Sequence, residues 1–123
     1  MGRSPARTGW LSALADPRVG AALRHIHTNV ATGTSVAALA KVAGMSRTAF
    51  AARFKQLVGQ APLAYAIQWR MALAKDALRT TDRAIGALAF ELGYESESAF
   101  STAFRREVGC APRTYRTSMR APR

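Results

Sequence analysis

One pattern occurs twice in this chain. Val36, Leu39, Ala40, Gly44, Met45, Phe50, Phe54, Gly59, Pro62 and Tyr65 return as Ile85, Leu88, Ala89, Gly93, Tyr94, Phe100, Phe104, Gly109, Pro112 and Tyr115. The step is 49 residues from Gly44 to Gly93 and 50 from Phe50 to Phe100. One residue is therefore inserted just after the glycine, where a turn absorbs it. Each copy reads as a short helix, a glycine turn and a longer helix, so the chain is constrained to two small helix-turn-helix subdomains.

The periodicity predicts helices throughout and no strand. Asp16-Pro17 is a start signal, with an acid at the N-cap and proline at the first helical position. Val19, Leu23, Ile26 and Val30 follow on one face, and the first helix runs to about Asn29 before Thr32-Gly33-Thr34 breaks it. Ser35 caps the second helix (Val36, Leu39, Ala40 and Ala43 inward), which Gly44 ends in a left-handed conformation. Ser46 caps the third, with Phe50, Phe54, Leu57 and Val58 inward, and Gly59 ends it. Pro62 opens a longer linker helix to about Leu78. Asp82 or Arg83 opens the fifth helix, and Gly93 closes it. Ser96 caps the sixth (Phe100, Phe104 and Val108 inward), which Gly109 closes, and Pro112 to about Arg116 forms a last turn. The fold expected is all-α, of about seven helices. It divides into an N-terminal arm (1–16), a first helix-turn-helix subdomain (17–61), the linker helix (62–80), a second subdomain (81–117) and a basic tail (118–123) whose end frays.

Charge narrows the partner. Eighteen basic residues, fifteen of them arginine, stand against seven acidic ones, for a formal +11. Arginine offers a planar fork of donors that suits phosphate oxygens and guanine edges. An acidic polymer is the leading partner, and with the repeat that polymer is double-stranded DNA. The phenylalanine pairs anchor one side of each longer helix and leave the other side outward. Those outward residues are Arg47, Thr48, Ala51, Ala52 and Lys55 in the first copy, and Glu97, Ser98, Ser101, Thr102 and Arg105 in the second. These are the candidate DNA-binding residues, with Arg106 and the tail adding phosphate contacts. Glu97 has two readings: it accepts from a cytosine N4, or it interacts favourably with the N-terminus of the sixth helix, which is the commoner role of a first-turn acid.

The stretch Leu39-Ala40, Gly44-Met45-Ser46, Phe50, Phe54-Lys55, Gly59, Pro62, Tyr65, followed by Arg70-Met71, Ala74 and Leu78, resembles the DNA-binding domain of AraC/XylS-type bacterial transcription regulators. The second copy carries that family's signature in Ile85, Ala89, Gly93-Tyr94, Ser96, Phe100, Phe104-Arg105, Gly109, Pro112 and Tyr115-Arg116. The resemblance covers about residues 17–117. It implies two helix-turn-helix subdomains on a rigid linker helix, with the third and sixth helices entering adjacent major grooves of promoter DNA, and RNA polymerase as a further partner. Arg70 either hydrogen-bonds between linker and subdomain or touches a phosphate, and the resemblance favours the first. Seventeen linker residues span about 26 Å, short of the ~34 Å between successive major grooves, so some bending of the DNA, or asymmetric engagement of the two halves, is expected.

Three departures from the family pattern stand out. Thr48, Ala51 and Ala52 are small where relatives often carry long side chains, and the arginine sits one step on, at Arg53. Residues 34–59 carry four basic residues and no acid, whereas 82–109 carry three basic against five acidic, so phosphate attraction is expected mainly from the first unit and selectivity more from the second. Many relatives also carry a sensing or dimerising domain ahead of the DNA-binding part. The expectation is a C-terminal portion of a longer regulator, or a truncated or stand-alone form. Trp10, Leu11 and Leu14 then either pack on the first helix or, exposed, mark a lost interface.

Other classes find little support. His25 and His27 point to different sides of a helix, with no cysteine or carboxylate set around them, so neither a metal nor a cofactor is expected. Cys110 has no histidine partner at matching spacing, and catalysis is not expected. A single cysteine leaves no internal disulfide and points to a cytoplasmic setting, which DNA binding makes nucleoid-associated. The rival reading is a cationic helical module that binds a protein or membrane surface. It needs a broad exposed apolar face, whereas internal packing takes up the apolar faces here. No small-molecule site is evident.

Overall fold

A computed structural model describes residues 11–31 and 35–120. The expected arm, Trp10, the Thr32-Gly33-Thr34 break and the last three residues of the tail lie outside the described residues. Every regular element among the described residues is α-helical: α1 (Pro17–Thr28), α2 (Val36–Ala43), α3 (Arg47–Val58), α4 (Pro62–Thr80), α5 (Ile85–Glu91), α6 (Glu97–Val108) and α7 (Pro112–Arg120), with residues 11–15 helical ahead of α1.

The described residues form two compact units, one of 11–29 and 35–66 and another of 30–31 and 67–120. In the first, Asp16 caps α1 by accepting from the backbone N–H groups of Arg18 and Val19 at 3.0 and 2.9 Å. Ser35 and Ser46 cap α2 and α3 through Ala38 and Ala49. Each such cap is worth about 1 kcal/mol. The helix-turn-helix bend is a Schellman turn: Met45 N–H donates to the Ala40 carbonyl and Gly44 N–H to that of Lys41. Leu23, Leu39, Phe50 and Phe54 are fully buried. Phe54 packs on Phe50 at 5.6 Å and meets Tyr65 edge-on at 5.9 Å. Leu11 stays 63% exposed, while Leu14 is half-buried and Ala13 buried, so the segment ahead of α1 packs in part on this unit.

The second unit repeats these devices. Tyr94 N–H donates to Ala89 and Gly93 N–H to Phe90, and Ser96 caps α6 through Ala99. Phe104 packs on Phe100 at 5.7 Å and meets Tyr115 edge-on at 5.6 Å. Tyr94 adds a ring on Phe100 at 5.5 Å, where the first unit has Met45. Arg70 lies over the Tyr94 ring, 5.6 Å from its centre.

Two boundaries differ from the sequence expectation. α5 opens at Ile85, two to three residues late, with Ala84 at the cap and no side-chain bond there. Asp82 and Arg83 are engaged elsewhere: Asp82 pairs with Arg120, and Arg83 with Glu91. Arg120 holds the Asp82 carboxyl below the usual carboxylate range. α7 runs to Arg120 instead of fraying after Arg116. Its arginines fasten it: Arg116 donates to the Leu78 carbonyl at 3.1 Å, and Arg120 to the carbonyls of Arg79 (3.2 Å) and Thr81. These are the last carbonyls of α4 and the residue after it, which a helix end otherwise leaves without partners.

Candidate nucleic-acid interface

The fixed inner side of α3 determines its outer side. With Phe50 and Phe54 buried, Arg47, Thr48, Ala52 and Lys55 are exposed and Ala51 is half-buried. Arg47 and Lys55 have no ion-pair partner among the described residues, so both cations are available to an external anion. Arg53 is not available in this way. Its Nε and Nη2 donate to Asp16 Oδ2 at 3.0 and 2.5 Å, and the Asp16 side chain is only 8% exposed. The long side chain nearest the small residues of α3 is thus held against the start of α1. Arg18, which the sequence reading passed over, donates to the Gly44 carbonyl at 3.4 Å and lies beside the helix-turn-helix bend.

The Val19 N–H bond, supported by Arg53 and Arg18, holds the Asp16 carboxyl below its ordinary range. The folded pKa is then lower than the unfolded one. The contribution of Asp16 is complete at neutral pH and is lost as the pH falls below about 3.9 through the folded value. Asp16→Asn keeps an acceptor for the cap but loses the ion pair, and Arg53 is half-exposed, so the expected cost at pH 7 is about 1 kcal/mol. Urea denaturation at pH 7 and pH 3 checks this: the gap between variant and parent narrows at pH 3, and a constant gap contradicts the assignment.

On α6, Ser98, Thr102 and Arg105 are exposed and Ser101 is half-buried. The structure brings these four together with Arg106 round one open cleft of about 460 Å³. Arg106 donates to the adjacent Glu107 carboxylate at 3.1 Å, while Arg105 has no ion-pair partner among the described residues. Glu97 does not join this group. It is the first residue of α6 and lines a separate cleft of about 370 Å³ with Ala84, Ile85, Gly86, Arg113, Arg116 and Thr117. A Cβ on Gly86 would stand 3.1 Å from a Glu97 carboxylate oxygen. The charge of the second unit depends on α7 being counted with it. Arg113, Arg116 and Arg120 change the balance from −2 over residues 82–109 to +1 over 82–120.

The remaining polar candidates have structural partners. His25 lies 3.3 Å from the Asn29 amide, and His27 Nε2 is 2.6 Å from the Tyr65 hydroxyl. Burial lowers the His27 pKa and pushes that of Tyr65 up to about 12. No group of three or more histidine, cysteine or carboxylate residues that would suit a metal occurs among the described residues. Among those residues, no helix is long and apolar enough to cross a membrane.

A helix-turn-helix domain family matches residues 39–118. A putative AraC-like transcription regulator of Streptomyces antibioticus is 47% identical over 115 residues, which cover 93% of this chain and 38% of that protein. The regulatory protein SoxS of Salmonella typhimurium is 40% identical over 78 residues, 63% of this chain and 73% of SoxS. Among solved structures, the DNA-binding domain of the global transcriptional factor AdpA, in complex with a target DNA, superposes with a TM-score of 0.78 at 34% identity. That match covers 86% of this chain and 95% of the AdpA domain. The chain thus spans under two fifths of the length of its Streptomyces relative.

Proposed function

This chain belongs to the AraC-type helix-turn-helix family, and from that premise we propose that it binds double-stranded promoter DNA through the outward faces of α3 and α6 and regulates transcription there. The observation that carries this reading is the duplicated architecture. The same phenylalanine-anchored helix, capped by serine and ended by glycine, presents an unburied outer face twice in one basic chain. A solved relative of the same fold, AdpA, holds a target DNA.

The two faces divide the work. Arg47 and Lys55 on α3 supply phosphate contacts, which position the protein without reading sequence. Thr48, Ala51 and Ala52 permit close approach and contact with thymine methyl groups. Ser98, Ser101, Thr102 and Arg105 on α6 carry the hydrogen-bonding groups that distinguish base edges. Action on the chromosome places the protein in the cytoplasm, with RNA polymerase as its second partner.

Selection of bound duplexes from a random pool, at two salt concentrations, tests the reading. An enriched site of about two major-groove segments is expected, with affinity falling steeply as salt rises. Arg105→Ala is expected to cost about 1–3 kcal/mol of binding and to relax selection at one position of that site. Salt-dependent binding without an enriched sequence refutes specific reading.

A further inference from the structure

The arginines of α7 fall into two kinds. Arg116 and Arg120 are engaged by backbone carbonyls at the end of α4. Arg113 is exposed and has neither an ion-pair nor a hydrogen-bond partner among the described residues. It lines the cleft of about 370 Å³ that also contains Arg116, Thr117 and Glu97. Arg116 adds a second positive charge to that cleft, although its Nη2 is itself buried and out of reach of an outside group. Two guanidinium groups and a hydroxyl against one carboxylate leave a net positive site rich in donors. Phosphate oxygens match that chemistry, and the guanidinium fork fits them.

The repeat shows that this is not a generic property of the fold. Fifty residues before Arg113, Arg116 and Thr117 stand Leu63, Ala66 and Ile67. None of these three carries a side-chain donor: Leu63 is exposed, Ala66 buried and Ile67 half-buried. Position supplies the rest. Glu97 and Ser98 are consecutive at the start of α6, and one lines this cleft while the other lines the Ser101–Arg105 cleft. A duplex read by α6 therefore brings its strand to the neighbouring arginines.

We propose that this cleft holds one phosphodiester group of the DNA strand beside the α6 contact, with Arg113 as principal donor, Thr117 in support and the charge of Arg116 behind them. Glu97, on the same cleft, opposes that phosphate and weakens binding to all sequences alike. This assignment rests on α6 reading DNA, and it deepens that reading by identifying a contact that anchors the second unit.

The test uses duplexes selected by the parent chain from a random pool and resynthesised with a single neutral methylphosphonate at each position in turn. In the parent, one such replacement lowers affinity about five- to tenfold. In Arg113→Gln, affinity for every duplex falls by a similar factor, the salt slope falls by about one, and the selected sequence is unchanged. The same methylphosphonate then costs less than about twofold, because its partner is already gone. Glu97→Gln moves the other way, with tightening of about two- to threefold and the same sequence preference. Arg113 is exposed and unpartnered, so the variant keeps its helicity, which circular dichroism checks. Unchanged affinity and slope in Arg113→Gln, or an equal methylphosphonate penalty in variant and parent, overturns the site and leaves DNA reading intact. A new preference at one base pair in Glu97→Gln likewise overturns the role given to Glu97. If the parent enriches no sequence, the DNA reading fails and this site with it.

Discussion

Phe104→Ala abolishes the cooperative folding of the second unit. Phe104 is fully buried, flanked by Phe100 and Tyr115 at 5.7 and 5.6 Å, within a cluster that includes Met71, Leu78, Leu88 and Leu92. Truncating a buried phenylalanine to alanine costs about 3–5 kcal/mol, the sum of lost transfer energy and the cavity left behind. The neighbours cannot refill that space cheaply, because Ala74, Ala89 and Ala103 make up a third of the buried cluster and have no side chain to move in. A core of this size supplies only about 3–5 kcal/mol of net stability in the first place, so the loss is of the order of the whole. Urea denaturation followed by circular dichroism decides the matter. Phe104→Ala is expected to lose the transition or to shift its midpoint down by about 2 M, and Phe104→Leu by much less. Phe90→Ala, at a ring 62% exposed on α5, stays within about 0.5 kcal/mol of the parent. A Phe104→Ala loss no larger than that of Phe90→Ala removes Phe104 from the role given to it here.

The repeat made most of this core legible. Phenylalanines four residues apart after a capping serine can face only one side of a helix, and the same spacing occurs twice. The caps at Asp16, Ser35, Ser46 and Ser96 were legible for the same local reason, since each signal lies within three residues of its partner. What the sequence hid depends on contacts between distant residues. The sequence places Arg53 one step off the outward positions of α3 without a partner, and only the fold shows Asp16, 37 residues earlier, holding it. α7 looked too short because the carbonyls that Arg116 and Arg120 bind lie 38–41 residues away. Glu97 and Ser98 are neighbours in sequence yet line different clefts. A signal did exist at Gly20, an isolated glycine inside the α1 pattern: a Cβ there would stand 2.7 Å from the Leu14 carbonyl.

Gly93→Ala damages the fold far more than Gly44→Ala, although the two glycines occupy the same place in the repeat. Both have positive φ, +72° at Gly44 and +90° at Gly93, and both close a Schellman turn between the helices of their motif. A side chain in the left-handed region costs about 1–2 kcal/mol, and that strain applies to both. Their surroundings separate them. A Cβ at Gly44 meets nothing within 4 Å, whereas one at Gly93 would lie 2.7 Å from the Val30 carbonyl oxygen and 3.3 Å from that of Ala31. Those atoms are backbone, so no rotamer change relieves the overlap, and the chain itself must move. The expected costs are about 1–2 kcal/mol for Gly44→Ala and about 3–4 kcal/mol for Gly93→Ala, the upper range for a single substitution. Asparagine, which tolerates the left-handed region best, separates the two causes. It recovers part of the loss at Gly44, where only backbone strain operates, and nothing at Gly93, where space is the limit. Chemical denaturation of the four variants checks this, and equal losses at the two positions would show that the Val30 carbonyl gives way. Position 93 therefore admits only glycine for a reason of tertiary packing, while position 44 favours it for a reason of local geometry.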